Sequence, residues 1–183
     1  MPLVTVEYPA GQLSAPQKAV LAEELTALML EIEGGGDTPF GRAGSLVRFR
    51  ETDRADWFVG GVNDETYVQG RPIFLVEIYV PEGLLDQQRK SQAHKAANDA
   101  LARVIGAGED RRRYFWIQIF EWPDGSLASD GATIDLFGIA KRAGHPATHP
   151  VLEFPRAYFD AKSRLFDAHG FPKTTAGRAL NRY

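Results

Sequence analysis

The sequence predicts an α+β fold in which two tandem βαβ units form one sheet with two helices on one face, followed by a C-terminal extension. Three observations predict it. Residues 2–7 read Pro-Leu-Val-Thr-Val-Glu and residues 72–77 read Pro-Ile-Phe-Leu-Val-Glu, an offset of 70. Each run has the apolar and β-branched residues of a strand, with proline at its first position. Each is followed by a glycine-containing turn, Pro9-Ala10-Gly11 or Pro81-Glu82-Gly83, and then by a helical pattern. A second apolar run follows each helix, and aligning Glu51 with Glu121 keeps the offset at 70.

The first helix is predicted from Ala15 to Glu33. Ser14 is suited to cap it, Pro16 sits where a missing N–H is harmless, and Leu21, Leu25, Leu28 and Ile32 recur at helical spacing. Gly34-Gly35-Gly36 ends it. The second helix is predicted from Gln87 to Ile105, capped by Asp86 and stopped by Gly106. Its inner face, Ala93, Ala97, Ala100 or Leu101, and Val104, is mostly small and suits close packing on a sheet.

Ser45–Glu51 and Tyr114–Glu121 read as the second strand of each unit, and Trp57–Val62 as a short strand ending in a glycine turn. Strand–helix–strand order implies parallel pairing within a unit and right-handed crossovers. Both helices then cover the same face. The uncovered apolar face predicts an oligomer or another covering layer. A dimeric ferredoxin-like domain shares this order of elements. The repeated domain is expected over residues 1–131, with units at about 2–61 and 72–122. Residues 132–183 form the extension, with a short amphipathic helix at about 155–169 and a polar arm from Lys173 to Tyr183.

Composition narrows the function classes. The chain has 183 residues with 44% apolar and 25% charged residues, near the average of a globular protein. Its net charge of −3 offers no basic surface for nucleic acid or anionic membrane. No cysteine is present, which excludes thiol catalysis, disulfides and Cys-based metal sites. No apolar run approaches the ~20 residues of a membrane span, and the start is not that of a signal peptide. A cytoplasmic location is the expectation.

Several constellations are weak. His145 and His149 sit in a proline-rich loop that cannot place them on one helical face, so no metal site is expected with His169. The three glycines at 34–36 lack the Lys-Ser/Thr of a phosphate-binding loop, and no G-x-S-x-G is present. Arg111-Arg112-Arg113 reads first as a solvated loop of charges, with an anionic substrate or a subunit contact as the alternatives.

A strand that begins at Pro2 directly after Met1, with a second βαβ unit behind it, resembles the tautomerase superfamily. The Trp57-Phe58-Val59-Gly60-Gly61 stretch is similar to the hairpin that closes the first unit there, and Trp116–Pro123 to the last core strand of its dehalogenase-like members. The resemblance covers residues 2–122 and reaches at most Gly131. It implies a cofactor-independent tautomerase or isomerase acting on a small 2-oxo acid, assembled as a homotrimer. Dehalogenase, hydratase or decarboxylase chemistry of the same superfamily, or a non-catalytic oligomeric binding protein, are the alternatives.

The chemistry would centre on Pro2. Loss of Met1 leaves a secondary amine, and an α-amino group titrates near ~8. An apolar pocket or a nearby arginine lowers that value, giving a general base that becomes a general acid once protonated. Arg48 matches the family's arginine for the substrate carboxylate, and Arg50 shares its face because side chains alternate along a strand. Trp57 matches the aromatic wall of the pocket, Tyr79 and Trp116 extend that wall, and Gln118 is a hydrogen-bond donor. The sequence also departs from the family. Gln12 replaces a second arginine, Tyr79–Leu84 replaces the stretch with the dehalogenase's arginine pair, and Met29, Gln118 and Ser129 or Asp130 fall where its histidine, tyrosine and glutamate lie. Those departures argue against a cis-chloroacrylate dehalogenase.

Overall fold

The computed structural model describes residues 3–34 and 36–177. Strands β1 (Leu3–Pro9), β2 (Leu46–Thr52), β3 (Phe74–Pro81) and β4 (Phe115–Trp122) form one sheet in the order β2-β1-β3-β4. β1 pairs β2 in parallel and β3 pairs β4 in parallel, while β1 and β3 are antiparallel, with Leu3 opposite Tyr79 and Val6 opposite Val76. The two strands of each unit are adjacent, whereas a ferredoxin-like domain splits them around another strand. That alternative is excluded.

The helices occupy one face, as expected. α1 (Ala15–Ile32) starts at a capping box in which the Ser14 hydroxyl accepts from Gln17 N and the Gln17 side chain accepts from Ser14 N at 2.9 Å. α4 (Gln87–Ile105) is capped by Asp86, which accepts from Arg89 N at 2.8 Å, and ends at Gly106 in the left-handed conformation. Gln17 also donates from Nε2 to the Val104 carbonyl at 3.0 Å, joining the two helices. Ala93, Ala97, Ala100 and Leu101 are buried, so α4 lies close on the sheet. Val4, Val6, Tyr8, Val76 and Ile78 face Leu21, Leu25, Met29 and Leu101 in one core. Arg48, Arg50, Tyr79, Trp116 and Gln118 alternate onto the other face.

Boundaries shift where proline changes the bonding. β3 begins at Phe74 rather than Pro72, because Pro72 has no N–H and Ile73 N donates to the Gln12 side chain at 3.1 Å. Phe74 N is the first of the run to bond, to the Tyr114 carbonyl. The expected strand at Trp57–Val62 is reduced to a single bridge between Val59 and Val62. Two short helices were not foreseen: α2 (Pro39–Gly44), capped by Thr38, and α3 (Glu65–Val68), capped by Asp64. Val68, Ile73 and Tyr114 form a small satellite core there, with Trp57 and Val59 against it.

The extension is part of the main core. The hairpin of β5 (Leu127–Ser129) and β6 (Ala132–Ile134) leads into it, and α5 (Leu136–Arg142) and α6 (Glu153–Ala168) follow. Leu136, Phe137, Ala140, Val151, Leu152 and Phe159 pack into the same cluster as the sheet and its helices. The end of the expected polar arm, 178–183, lies outside the described residues. Among the described residues, no helix is long and apolar enough to cross a membrane.

Glu82 fastens α6 to the turn after β3. Its carboxylate accepts from Tyr158 Oη at 2.7 Å, from Lys162 Nζ, and from Asp124 N at 3.0 Å. The neighbouring Gly83 has φ +73°, and a Cβ there would stand 2.6 Å from the Tyr158 ring. Only glycine fits this approach. Burial, reinforced by the bond to Glu82, pushes the Tyr158 phenol up to about 12. A pKa raised on folding stabilises the native state below the unfolded value of ~10 and loses that contribution as pH climbs through the folded value. Tyr158 is therefore expected to ionise above the ordinary tyrosine range, with loss of stability between pH ~10 and ~12. Ultraviolet titration of the phenolate, paired with thermal melts of wild type and Tyr158→Phe, checks this. The variant should lack the alkaline component.

Candidate active site

Antiparallel pairing of β1 with β3 brings the start of β1 beside the end of β3. Leu3 is opposite Tyr79, and β3 continues to Pro81. A cavity of about 60 Å³ lies at this end of the sheet. Pro81 and Leu84 form one wall, Leu30 and Glu33 from the end of α1 another, and Thr38, Phe40 and Gly41 a third. The extension closes it with α5 and with Ala143, His145, Val151 and Leu152. Pro2 precedes Leu3 in the chain and lies outside the described residues.

The lining is apolar apart from Glu33, Thr38 and His145. Burial pushes the Glu33 carboxyl above the usual carboxylate range. Burial also lowers His145, and the nearby His149 lowers it further. The His145 and His149 rings lie 4.2 Å apart between centroids, and His149 Nδ1 accepts from Val151 N at 3.2 Å. Both shifts favour the uncharged form of the group, as burial does for any ionisable side chain. Among the described residues, no group of three or more His, Asp and Glu is arranged to hold a metal ion.

None of the other expected site residues lines this cavity. Arg48 lies on the open face and donates from Nη2 to Thr5 Oγ1 at 3.2 Å. Arg50, on the same face, pairs with Glu7 at 2.9 Å. Tyr79 donates to Glu77 at 3.1 Å and stacks on Phe120 and Trp122, with centroids at 5.0 and 5.8 Å. Gln118 is exposed on that face, and Trp116 is 61% exposed. Trp57 stands at the opposite end of the sheet, donating from Nε1 to Thr52 Oγ1 at 2.6 Å beside the satellite core. Glu33 was not singled out by sequence, where it reads as the end of a helix. His145 was considered only as a metal ligand, and its loop gave no sign of a partner 112 positions earlier.

No family model matches the sequence, and no curated protein sequence matches it. Solved structures do. A member of the cis-3-chloroacrylic acid dehalogenase family aligns at TM-score 0.59 and 20% identity, covering 90% of this chain and 99% of that one. A native fused 4-OT aligns at 0.57 and 20%, covering 72% and 94%. A malonate semialdehyde decarboxylase inhibited by 3-bromopropiolate aligns at 0.54 and 14%, covering 78% and 95%. This is the tautomerase fold. Nine-tenths of the chain cannot fit within residues 1–131, so the likeness to the first of these structures reaches into the extension, further than the sequence motifs extend.

His145 should titrate below the ordinary histidine value of ~6.5 and Glu33 above the ordinary glutamate value of ~4.3. A lowered histidine supports the fold above ~6.5 and loses that support as pH falls through its folded value. NMR titration of the ring and carboxyl carbons reads both. Ordinary values at both positions would contradict the burial of these groups in the cavity.

Proposed function

We propose that the protein is a cofactor-independent enzyme of the tautomerase superfamily. It would move a proton between the enol and keto forms of a small 2-oxo acid, using the Pro2 amine freed by loss of Met1. The observation that carries this reading is the apolar cavity at the start of β1 within a tautomerase fold. An amine in apolar surroundings resists protonation and is a base at neutral pH. It would take the enol O–H proton as the carbonyl forms, then return a proton to the adjacent carbon. Arg48 would hold the substrate carboxylate and draw charge toward the enolate oxygen. Arg50, Gln118, Tyr79, Trp116 and Trp57 would complete the binding surface.

The reading includes a homotrimer. Leu46, Trp116 and Phe120 are 58%, 61% and 40% exposed on the helix-free face, where a neighbouring sheet would cover them. A similar fused 4-OT structure is described as an asymmetric trimer. Such an assembly would carry the arginines of this face toward a neighbour's cavity. Trp116→Asp should shift the trimer toward monomer in analytical ultracentrifugation, because an unpaired buried charge opposes association. A wild-type monomer would contradict the assembly.

Glu33 and His145 favour one second reading, hydration or decarboxylation by the same amine. A second acid–base group lining this cavity would suit activation of water. The deciding assay is ultraviolet-monitored ketonisation of phenylenolpyruvate by protein whose intact mass shows loss of Met1. Pro2→Ala should reduce the rate by roughly 10²–10⁴-fold. Equal rates in wild type and variant would refute a requirement for the proline amine. With Pro2 free, no activity above background would refute the tautomerase reading and leave hydration, decarboxylation or a binding role.

A further inference from the structure

The sequence repeat has a spatial counterpart at the other end of the sheet. β3 enters there, after Pro72 and Ile73, beside the turn that follows β1. A cleft of about 340 Å³ is lined by Pro72 and Ile73, by Gln12 from that turn, and by Ile105, Ala107 and Arg111 from the end of α4 and the loop after it. The first cavity uses the corresponding parts of the other unit. At the offset of 70, Arg111 replaces Gly41, and both positions line their respective sites. The nitrogen of Pro72 is an amide within the chain, so it supplies no base.

The second site has a different chemistry. Arg54 and Arg71 join Arg111 in its wall, with Glu65 as the single lining carboxylate. Main-chain carbonyls hold the three guanidiniums. Arg54 Nη1 donates to Trp57 O at 2.9 Å, Arg71 Nε to Asp110 O at 3.1 Å, and Arg111 Nη2 to Gly70 O at 3.2 Å. Carbonyls orient a guanidinium without cancelling its charge. Glu65 lies 3.8 Å from Arg54 but accepts from Gly70 N at 2.6 Å with its other oxygen, so it offsets at most one of three charges. The Gln12 side chain accepts from Ile73 N, and its NH₂ group is a further donor.

We propose that this cleft is a binding site for a small dicarboxylate, separate from the amine chemistry at the start of β1. Guanidiniums bind carboxylates through paired N–H donors. Here three guanidiniums from three separate segments wall one cleft against a single lining carboxylate among the described residues. Their summed charge exceeds what one carboxylate neutralises and fits a ligand that carries two. Its size falls in the usual range for small-molecule pockets. The anion need not displace an existing ion pair other than the long Arg54–Glu65 contact.

The test is calorimetric titration of the full chain with succinate and 2-oxoglutarate, against acetate and inorganic phosphate at matched ionic strength. Dicarboxylates should bind saturably and at least ~10-fold more tightly than acetate, weakening as salt rises. Arg111→Gln and Arg71→Gln should each weaken binding about 10-fold or more while circular dichroism stays native. Amide shifts should move at Val68–Ile73. Pro2→Ala should bind unchanged, which separates this site from the proposed catalytic one. Equal affinity for acetate, preference for phosphate, insensitivity to both arginine substitutions, or loss of binding in Pro2→Ala would each overturn the assignment.

Discussion

The antiparallel pairing of β1 with β3 is the constraint on which the rest of the structure depends. Within each unit the strands are parallel and joined by a helix, a connection that buries only one face. The pairing from Leu3–Tyr79 to Glu7–Leu75 joins the units into one sheet and one core. It also places the start of each unit against the end of the other's first strand. Pro81 and Leu84 therefore line the cavity at β1, while Gln12 lines the cleft at β3. Neither unit completes its own site.

The two ends differ because the extension covers only one. α5, His145 and Val151–Leu152 add an apolar wall at the β1 end, and burial there shifts Glu33 and His145 toward uncharged forms. Among the described residues, none of the extension lines the β3 end, where main-chain carbonyls hold Arg71 and Arg111. A common architecture thus yields an apolar cavity and a cleft walled by arginines. The clasp of Glu82 with Tyr158 and Lys162 holds the covering segment in place.

The fold was legible wherever a signal was local. Ser14 and Asp86 set the starts of both long helices, Gly106 stops the second, and alternation assigns Val47 and Phe49 to the core side of β2. The repeat supplied the parallel pairing within each unit, but not the strand order of the sheet. Signals failed where a distant residue decides the outcome. Pro72 looks like a strand residue until the Gln12 side chain takes the Ile73 N–H. α5 is short, and its cap, Asp135, lies in a stretch read only as a non-repeating tail. That Arg48, Arg50, Tyr79, Trp116 and Gln118 share the open face follows from strand alternation, but the cavity was not legible. Glu33 and His145 meet it from opposite ends of the chain, and no spacing rule links a helix terminus to a proline-rich loop.

The open face itself discriminates between its two arginines. Arg50 already has a full charge partner in Glu7, and a bound carboxylate would have to compete with that pair. Glu77 accepts from Tyr79, whose ring is fixed by its stack on Phe120 and Trp122. Arg48 sits between these pairs and bonds the neutral hydroxyl of Thr5. Covering this face with another sheet removes water from all of them, and a charge deprived of water without a counter-charge is costly. Arg50 carries its counter-charge with it, whereas Arg48 would gain one from an arriving carboxylate. In the proposed trimer, desolvation would therefore favour Arg48 over Arg50 as the cation for the proposed acidic substrate.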